Sequence, residues 1–245
     1  MQSRYAISED GRKFAVGNNK TGCLSVYDNT DGEELWQKTN FPQIDTVRFS
    51  PDGNRIIAMF DMNLAAFVDT SSGKIRPISL LKKHVANVQN VYHSPVDSIL
   101  VHEQWDNDLL ITTKRNKILH SIPRKTFGVM DHAFSSGQYC VAEANGPVTC
   151  YDINTGKELW CYAESVGIFV SYVEQQNAYA IISTQSTCIL VDRDDGSRIR
   201  SFTTPNHQPA FCLNGQQMVF TNGEVIETST GKTTCNLNFS DGLSG

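Results

Sequence analysis

The sequence predicts an all-β fold, a single β-propeller of about six four-stranded antiparallel blades. Three observations carry that expectation. Two different turn signals each recur at roughly forty residues, a spacing typical of propeller repeats. A short apolar run, of the length of a buried strand, follows one of them every time. The segments between carry strand patterning and no helical period.

The first signal is an acidic residue, three variable residues and a glycine. It occurs at Asp28 to Gly32, Asp69 to Gly73, Asp152 to Gly156, Asp192 to Gly196 and Glu227 to Gly231. The carboxylate can accept backbone N–H groups just ahead of it, and glycine supplies the positive φ that closes a hairpin. The interval from Gly73 to Gly156 is doubled, so one copy is degenerate. The second signal lies upstream: Ser8-Glu9-Asp10-Gly11, Ser50-Pro51-Asp52-Gly53, Ser94-Pro95-Val96-Asp97, Ser135-Ser136-Gly137, Gln175-Gln176-Asn177 and Leu213-Asn214-Gly215. It recovers the missing copy.

Behind each upstream turn comes an apolar run: Phe14-Ala15-Val16, Ile56 to Phe60, Ile99-Leu100-Val101, Tyr139 to Ala142, Ala180-Ile181-Ile182 and Met218-Val219-Phe220. Such runs suit strands covered on both faces, the environment of a blade's inner strands. Each unit reads strand, turn, buried strand, loop, strand, acidic turn, outer strand. One domain is expected over 1–245, with blades at about 1–41, 42–84, 85–124, 125–164, 165–205 and 206–245.

Tyr151-Asp152-Ile153-Asn154-Thr155-Gly156-Lys157-Glu158-Leu159-Trp160 resembles the repeat of quinoprotein-like propellers, and Tyr27 to Trp36 is a second copy. Phe49-Ser50-Pro51-Asp52-Gly53 is similar to the Ser-Pro-Asp-Gly segment of WD40 and related propellers. The resemblance spans nearly the whole chain and implies the propeller class. The Gly-His dipeptide of many WD40 repeats is absent, and the single Trp-Asp pair, Trp105-Asp106, falls in a loop by register. Quinoprotein dehydrogenases hold their cofactor in an axial site on calcium, and no residue set here maps onto such a site.

Composition narrows function by exclusion. The formal charge of −5 disfavours nucleic acid, which is held by basic faces that release counterions. No stretch approaches the roughly twenty apolar residues of a membrane span, and Met1-Gln2-Ser3-Arg4-Tyr5 lacks the apolar core of a secretory signal. A cytoplasmic, monomeric domain is expected. Seven cysteines, an odd number without C-x-x-C, argue against a disulfide framework or zinc site and for small buried hydrophobes.

Candidate chemistry is sparse. Asp192-Arg193-Asp194-Asp195-Gly196 superficially resembles a calcium loop but lacks its terminal glutamate, and the same positions form ordinary turns in other repeats. The six histidines are scattered without ligand-like pairing. No nucleophile elbow or phosphate-binding loop occurs. No catalytic, cofactor-binding or metal-binding residue is assigned, and no cofactor is expected. The expected function is a non-catalytic scaffold that presents loops to a protein or peptide. The alternatives are a small propeller enzyme with an axial metal or ligand, of hydrolase or lactonase type, and a propeller fragment of a larger signalling protein.

The candidate binding residues centre on Trp105. Trp36 and Trp160 occupy equivalent repeat positions, so packing explains them. Trp105 has no repeat counterpart, and an indole beside acidic and amide groups has the composition of an interface anchor. With Asp106 it would share one face with Phe41, Phe127 and His207. Blade three also replaces the acidic turn with basic residues. Lys114, Arg115 and Lys117, with Arg124 and Lys125, form a candidate surface for an acidic partner.

Overall fold

In the computed structural model the chain is a six-bladed β-propeller of four-stranded antiparallel sheets. It describes residues 5–237 except 9, 19, 51, 61–63, 79–87, 95–98, 105–107, 114–116, 127, 165, 206–208, 213–214 and 221. Two compact units divide the chain, Met1–Pro123 with blades one to three and Arg124–Gly245 with blades four to six. Each sheet is built of four consecutive strands.

In the first unit, blade one comprises β1 (Tyr5–Ile7), β2 (Lys13–Asn18), β3 (Cys23–Asp28) and β4 (Glu34–Lys38). Blade two comprises β5 (Ile44–Phe49), β6 (Arg55–Phe60), β7 (Leu64–Asp69) and β8 (Ile75–Ile78). Blade three comprises β9 (Val88–His93), β10 (Ile99–Gln104), β11 (Asp108–Thr113) and β12 (Ile118–Pro123). The core lies between blades, as period-two side-chain alternation requires of a strand covered on both faces. Ile56, Ala58 and Phe60 of β6 pack with Ala15, Leu24 and Val26 of blade one. Ile57 and Met59, on the opposite face of β6, pack with Val91, Leu100 and Leu110 of blade three.

In the second unit, blade four comprises β13 (Val129–Ser135), β14 (Gln138–Glu143), β15 (Val148–Asp152) and β16 (Glu158–Tyr162). Blade five comprises β17 (Gly167–Val173), β18 (Ala178–Ser183), β19 (Thr187–Asp192) and β20 (Arg198–Thr203). Blade six comprises β21 (Pro209–Cys212), β22 (Gln217–Phe220), β23 (Glu224–Glu227) and β24 (Thr233–Asn236). One layer joins Cys140, Ala142 and Val148 to Tyr179 and Ile181; the next joins Ala180, Ile182 and Leu190 to Met218, Phe220 and Ile226. A three-residue 3-10 turn at Glu174–Gln176 is the one helical element among the described residues, and no helix there is long and apolar enough to cross a membrane.

The two turn signals hold the hairpins in the expected manner. Ser50 Oγ donates to Asp52 Oδ1 at 2.5 Å and accepts the Arg55 N–H at 2.9 Å, while Asp52 accepts the Asn54 N–H at 3.1 Å. Ser8 and Asp10 repeat the arrangement in blade one. The Ser50 hydroxyl, ahead of other causes, holds the Asp52 carboxyl below the usual carboxylate range. In the acidic turns Asp69 accepts N–H groups from Ser71 and Ser72, and Asp152 accepts that of Thr155.

Outer-strand bulges explain the repeated tryptophans. Register shifts between Val26 and Tyr27, and again between Cys150 and Tyr151, leave Leu35 and Leu159 as the extra residues on β4 and β16. A bulge re-aims the side chains that follow it. Here it turns each indole onto the acidic turn of the next blade, where Trp36 Nε1 donates to the Thr70 carbonyl and Trp160 Nε1 to the Arg193 carbonyl, both at 2.7 Å.

The cysteine expectation needs one correction. Cys140, Cys150 and Cys188 are buried, but Cys161 and Cys235 are exposed. They sit on β16 and β24, the last strands of their sheets. The six cysteines with described side chains are all free thiols.

Candidate functional site

Blade three departs from its neighbours at the end of its second strand. β10 finishes in His102-Glu103-Gln104, and all three side chains are buried. At the same register β6 carries Ala58-Met59-Phe60 and β18 carries Ile181-Ile182-Ser183. Two apolar positions of the repeat have thus become a histidine and a carboxylate. The fold does not require either, as the other blades show.

His102 pairs with Val91 on one side and Leu110 on the other, both members of the apolar layer between blades two and three. Its Nε2 lies 2.9 Å from Thr112 Oγ1, and its buried Nδ1 has no hydrogen-bond partner among the described residues. Burial pushes the imidazole down to about 4, so the ring is neutral at pH 7. Glu103 lies on the opposite face of the strand. The Tyr92 hydroxyl donates to its Oε2 at 2.9 Å, and the Arg48 guanidinium stands 5.1 Å over the Tyr92 ring. A buried polar group costs free energy unless it is hydrogen-bonded, and the Tyr92 hydroxyl supplies such a bond to Glu103.

The third position is polar elsewhere too, with a structural reason. Glu143 at the end of β14 accepts the Lys125 and Thr126 N–H groups at 3.2 and 2.5 Å and the Thr126 hydroxyl at 3.1 Å, tying down the link into blade four. Gln104 shares that register. The distinctive pair in blade three is therefore His102 and Glu103, one step before the segment that joins β10 to β11.

That segment contains Trp105 and Asp106, which lie outside the described residues, as do Phe127, His207, Lys114 and Arg115. Phe41 is half-buried and stacks on Phe60 with ring centroids 5.4 Å apart, and its N–H donates to the Gly22 carbonyl at 2.9 Å. Packing accounts for it. Of the remaining basic residues Lys117 is exposed, Arg124 is buried, and Lys125 pairs with Glu158 at 2.8 Å. His102, Glu103 and Tyr92 were missed by sequence reasoning. The signal was present, because alignment of the buried runs sets His102 and Glu103 against Ala58-Met59, Val141-Ala142 and Ile181-Ile182.

Among the described residues no group of three or more His, Cys, Asp or Glu side chains converges to hold a metal ion. The chain matches no protein-family model and no curated protein.

Proposed function

We propose that this propeller, of the WD40-like or quinoprotein-like class, is a non-catalytic scaffold that binds a protein or peptide at the end of β10 in blade three. The observation that supports it is the buried His102-Glu103-Gln104 series. Sequences that depart from their own repeat at a cost in stability tend to do so at functional sites. The departure leads directly into Trp105 and Asp106, the one tryptophan in the chain without a repeat role. An indole anchor with an acidic neighbour suits a partner surface that pairs an apolar pocket with a basic or amide group.

In this reading the domain acts as a cytoplasmic monomer and engages neither membrane nor nucleic acid, in keeping with its formal charge of −5. Lys117, with Lys114 and Arg115, supplies a secondary acidic-partner contact. The test compares partners retained by the intact chain and by Trp105→Ala. A partner lost from the variant, whose melting temperature is unchanged, supports the reading. Partners retained equally by both would sink it.

A further inference from the structure

Cys140 of β14 and Cys150 of β15 stand directly opposite each other. Both are fully buried free thiols, and a hydrogen bond joins one thiol to the other. The fold asks only for apolar side chains there. The same register holds Ala15 and Val26 in blade one, Ile57 and Phe67 in blade two, and Ala180 and Leu190 in blade five. Among the described residues no other two cysteines are paired in this way. Cys23 opposes Asn18, Cys161 opposes Thr149, Cys188 opposes Ile182 and Cys235 opposes Val225.

The register decides whether the two sulfurs can bond. Opposed positions in an antiparallel pair alternate between hydrogen-bonded and non-hydrogen-bonded. The Ile153 N–H donates to the Gly137 carbonyl at 2.9 Å, so Gly137 and Ile153 form a hydrogen-bonded position. The ladder continues from there without a bulge. Three steps further, Cys140 and Cys150 therefore occupy a non-hydrogen-bonded position, where Cα atoms lie about 4.5 Å apart and side chains approach most closely. A disulfide spans Cα separations of about 4.4–6.8 Å, so the pair is within its reach.

We propose that Cys140 and Cys150 are a redox pair, which a small disulfide such as oxidised glutathione converts to a cross-strand disulfide when blade four opens locally. One cysteine thiolate attacks the oxidant, forming a mixed disulfide and releasing one small thiol. The second thiolate attacks the protein sulfur of that mixed disulfide, closing the Cys140–Cys150 bond and releasing the second small thiol. Two electrons pass to the oxidant, and the two cysteine protons end on the released thiols. While the blade is closed the pair is shielded. Burial, ahead of the hydrogen bond with Cys150, pushes the Cys140 thiol well above its usual value, and the thiolate is the reactive form. The device thus answers to oxidant and local opening together. Its effect reaches the next blade, because Cys150 Sγ donates to Gln138 Oε1 at 3.6 Å and the Tyr179 hydroxyl of blade five donates to the same oxygen at 3.4 Å. The disulfide removes the Cys150 proton from that shared contact. None of this depends on whether blade three binds a partner.

The test holds the full chain in excess oxidised glutathione, with urea kept below the unfolding transition so that local opening rises without global unfolding. Remaining thiols are alkylated after full denaturation, and the chain is cleaved after Glu143, which lies between the two cysteines. The exposed Cys161 and Cys235 serve as markers of unhindered reaction. Expected is a disulfide joining the peptides on either side of the cut, formed faster as urea rises and lost again in reduced glutathione. Both cysteines found alkylated at equilibrium, or stable glutathione adducts on them without the internal link, would overturn the proposal. So would a link that forms only once the chain is globally unfolded.

Discussion

The indole of Trp160 in blade four lies against Gly196 of blade five so closely that a Cβ added to the glycine would stand 2.7 Å from Cδ2 of the ring. Gly196 also has φ +71°, a conformation that costs an L-residue of order 1 kcal/mol or more. Gly32, at the same place in blade one's turn, has φ +78° and nothing within 4 Å. Gly32→Ala is therefore expected to cost only about 1 kcal/mol, and Gly196→Ala about 1–3 kcal/mol more through overpacking. Urea midpoints of the two variants check the difference. Equal losses would remove the indole contact from the account.

His102 makes stability depend on pH. Its folded value of about 4 lies below the ordinary 6.5, so the unfolded chain takes up a proton that the folded chain refuses. Its contribution is fully present above pH 6.5 and is lost as pH falls from 6.5 towards 4, for a total of about 3 kcal/mol. His102→Gln should flatten the urea-midpoint profile over that window while leaving the steeper carboxylate-driven loss at lower pH. An unchanged slope would place the histidine in a more hydrated setting.

Two threonines at one repeat position should respond in opposite directions to the same substitution. Thr70→Val removes a hydroxyl that donates to the Gly53 carbonyl and accepts from Lys13, and should destabilise by about 1–2 kcal/mol. Thr228→Val removes a buried hydroxyl without a partner among the described residues, and should stabilise by about 1 kcal/mol. Thermal melts of both variants decide it; a loss in Thr228→Val would mean the hydroxyl is satisfied.

Ser50→Ala tests the upstream turn. Ser50 is buried and both donates to Asp52 and accepts from Arg55, so its loss should cost about 1–2 kcal/mol. Because the Ser50 hydroxyl is the largest cause of the lowered Asp52 value, the carboxyl should also titrate at higher pH in the variant. Carbon-detected NMR of Asp52 would show that shift, and an unmoved titration would contradict the bond.

The propeller was legible in the sequence because its turns depend on particular side chains. Ser50, Asp52 and Asp69 cannot be exchanged freely, so they recur and set the period. The equivalent packing of Trp36 and Trp160 was legible for the same reason. The partnering of strand faces was less so, since Ile56 and Ile57 look alike in sequence yet pack against different blades. Glu103 was hidden because its support, Tyr92, lies on the neighbouring strand and only the register brings them together. Phe41 looked like a loop aromatic available to a partner, and its stacking on Phe60 is a contact that spacing alone does not reveal.

The central claim, that binding is concentrated at the end of β10, is tested most directly by placing a photo-crosslinking benzoylphenylalanine at position 105. The control carries it at position 145, in the corresponding loop of blade four. With a partner in hand, the account predicts efficient crosslinking from position 105 and little from 145. Crosslinks from 145 with none from 105, or equal yields from both, would contradict it.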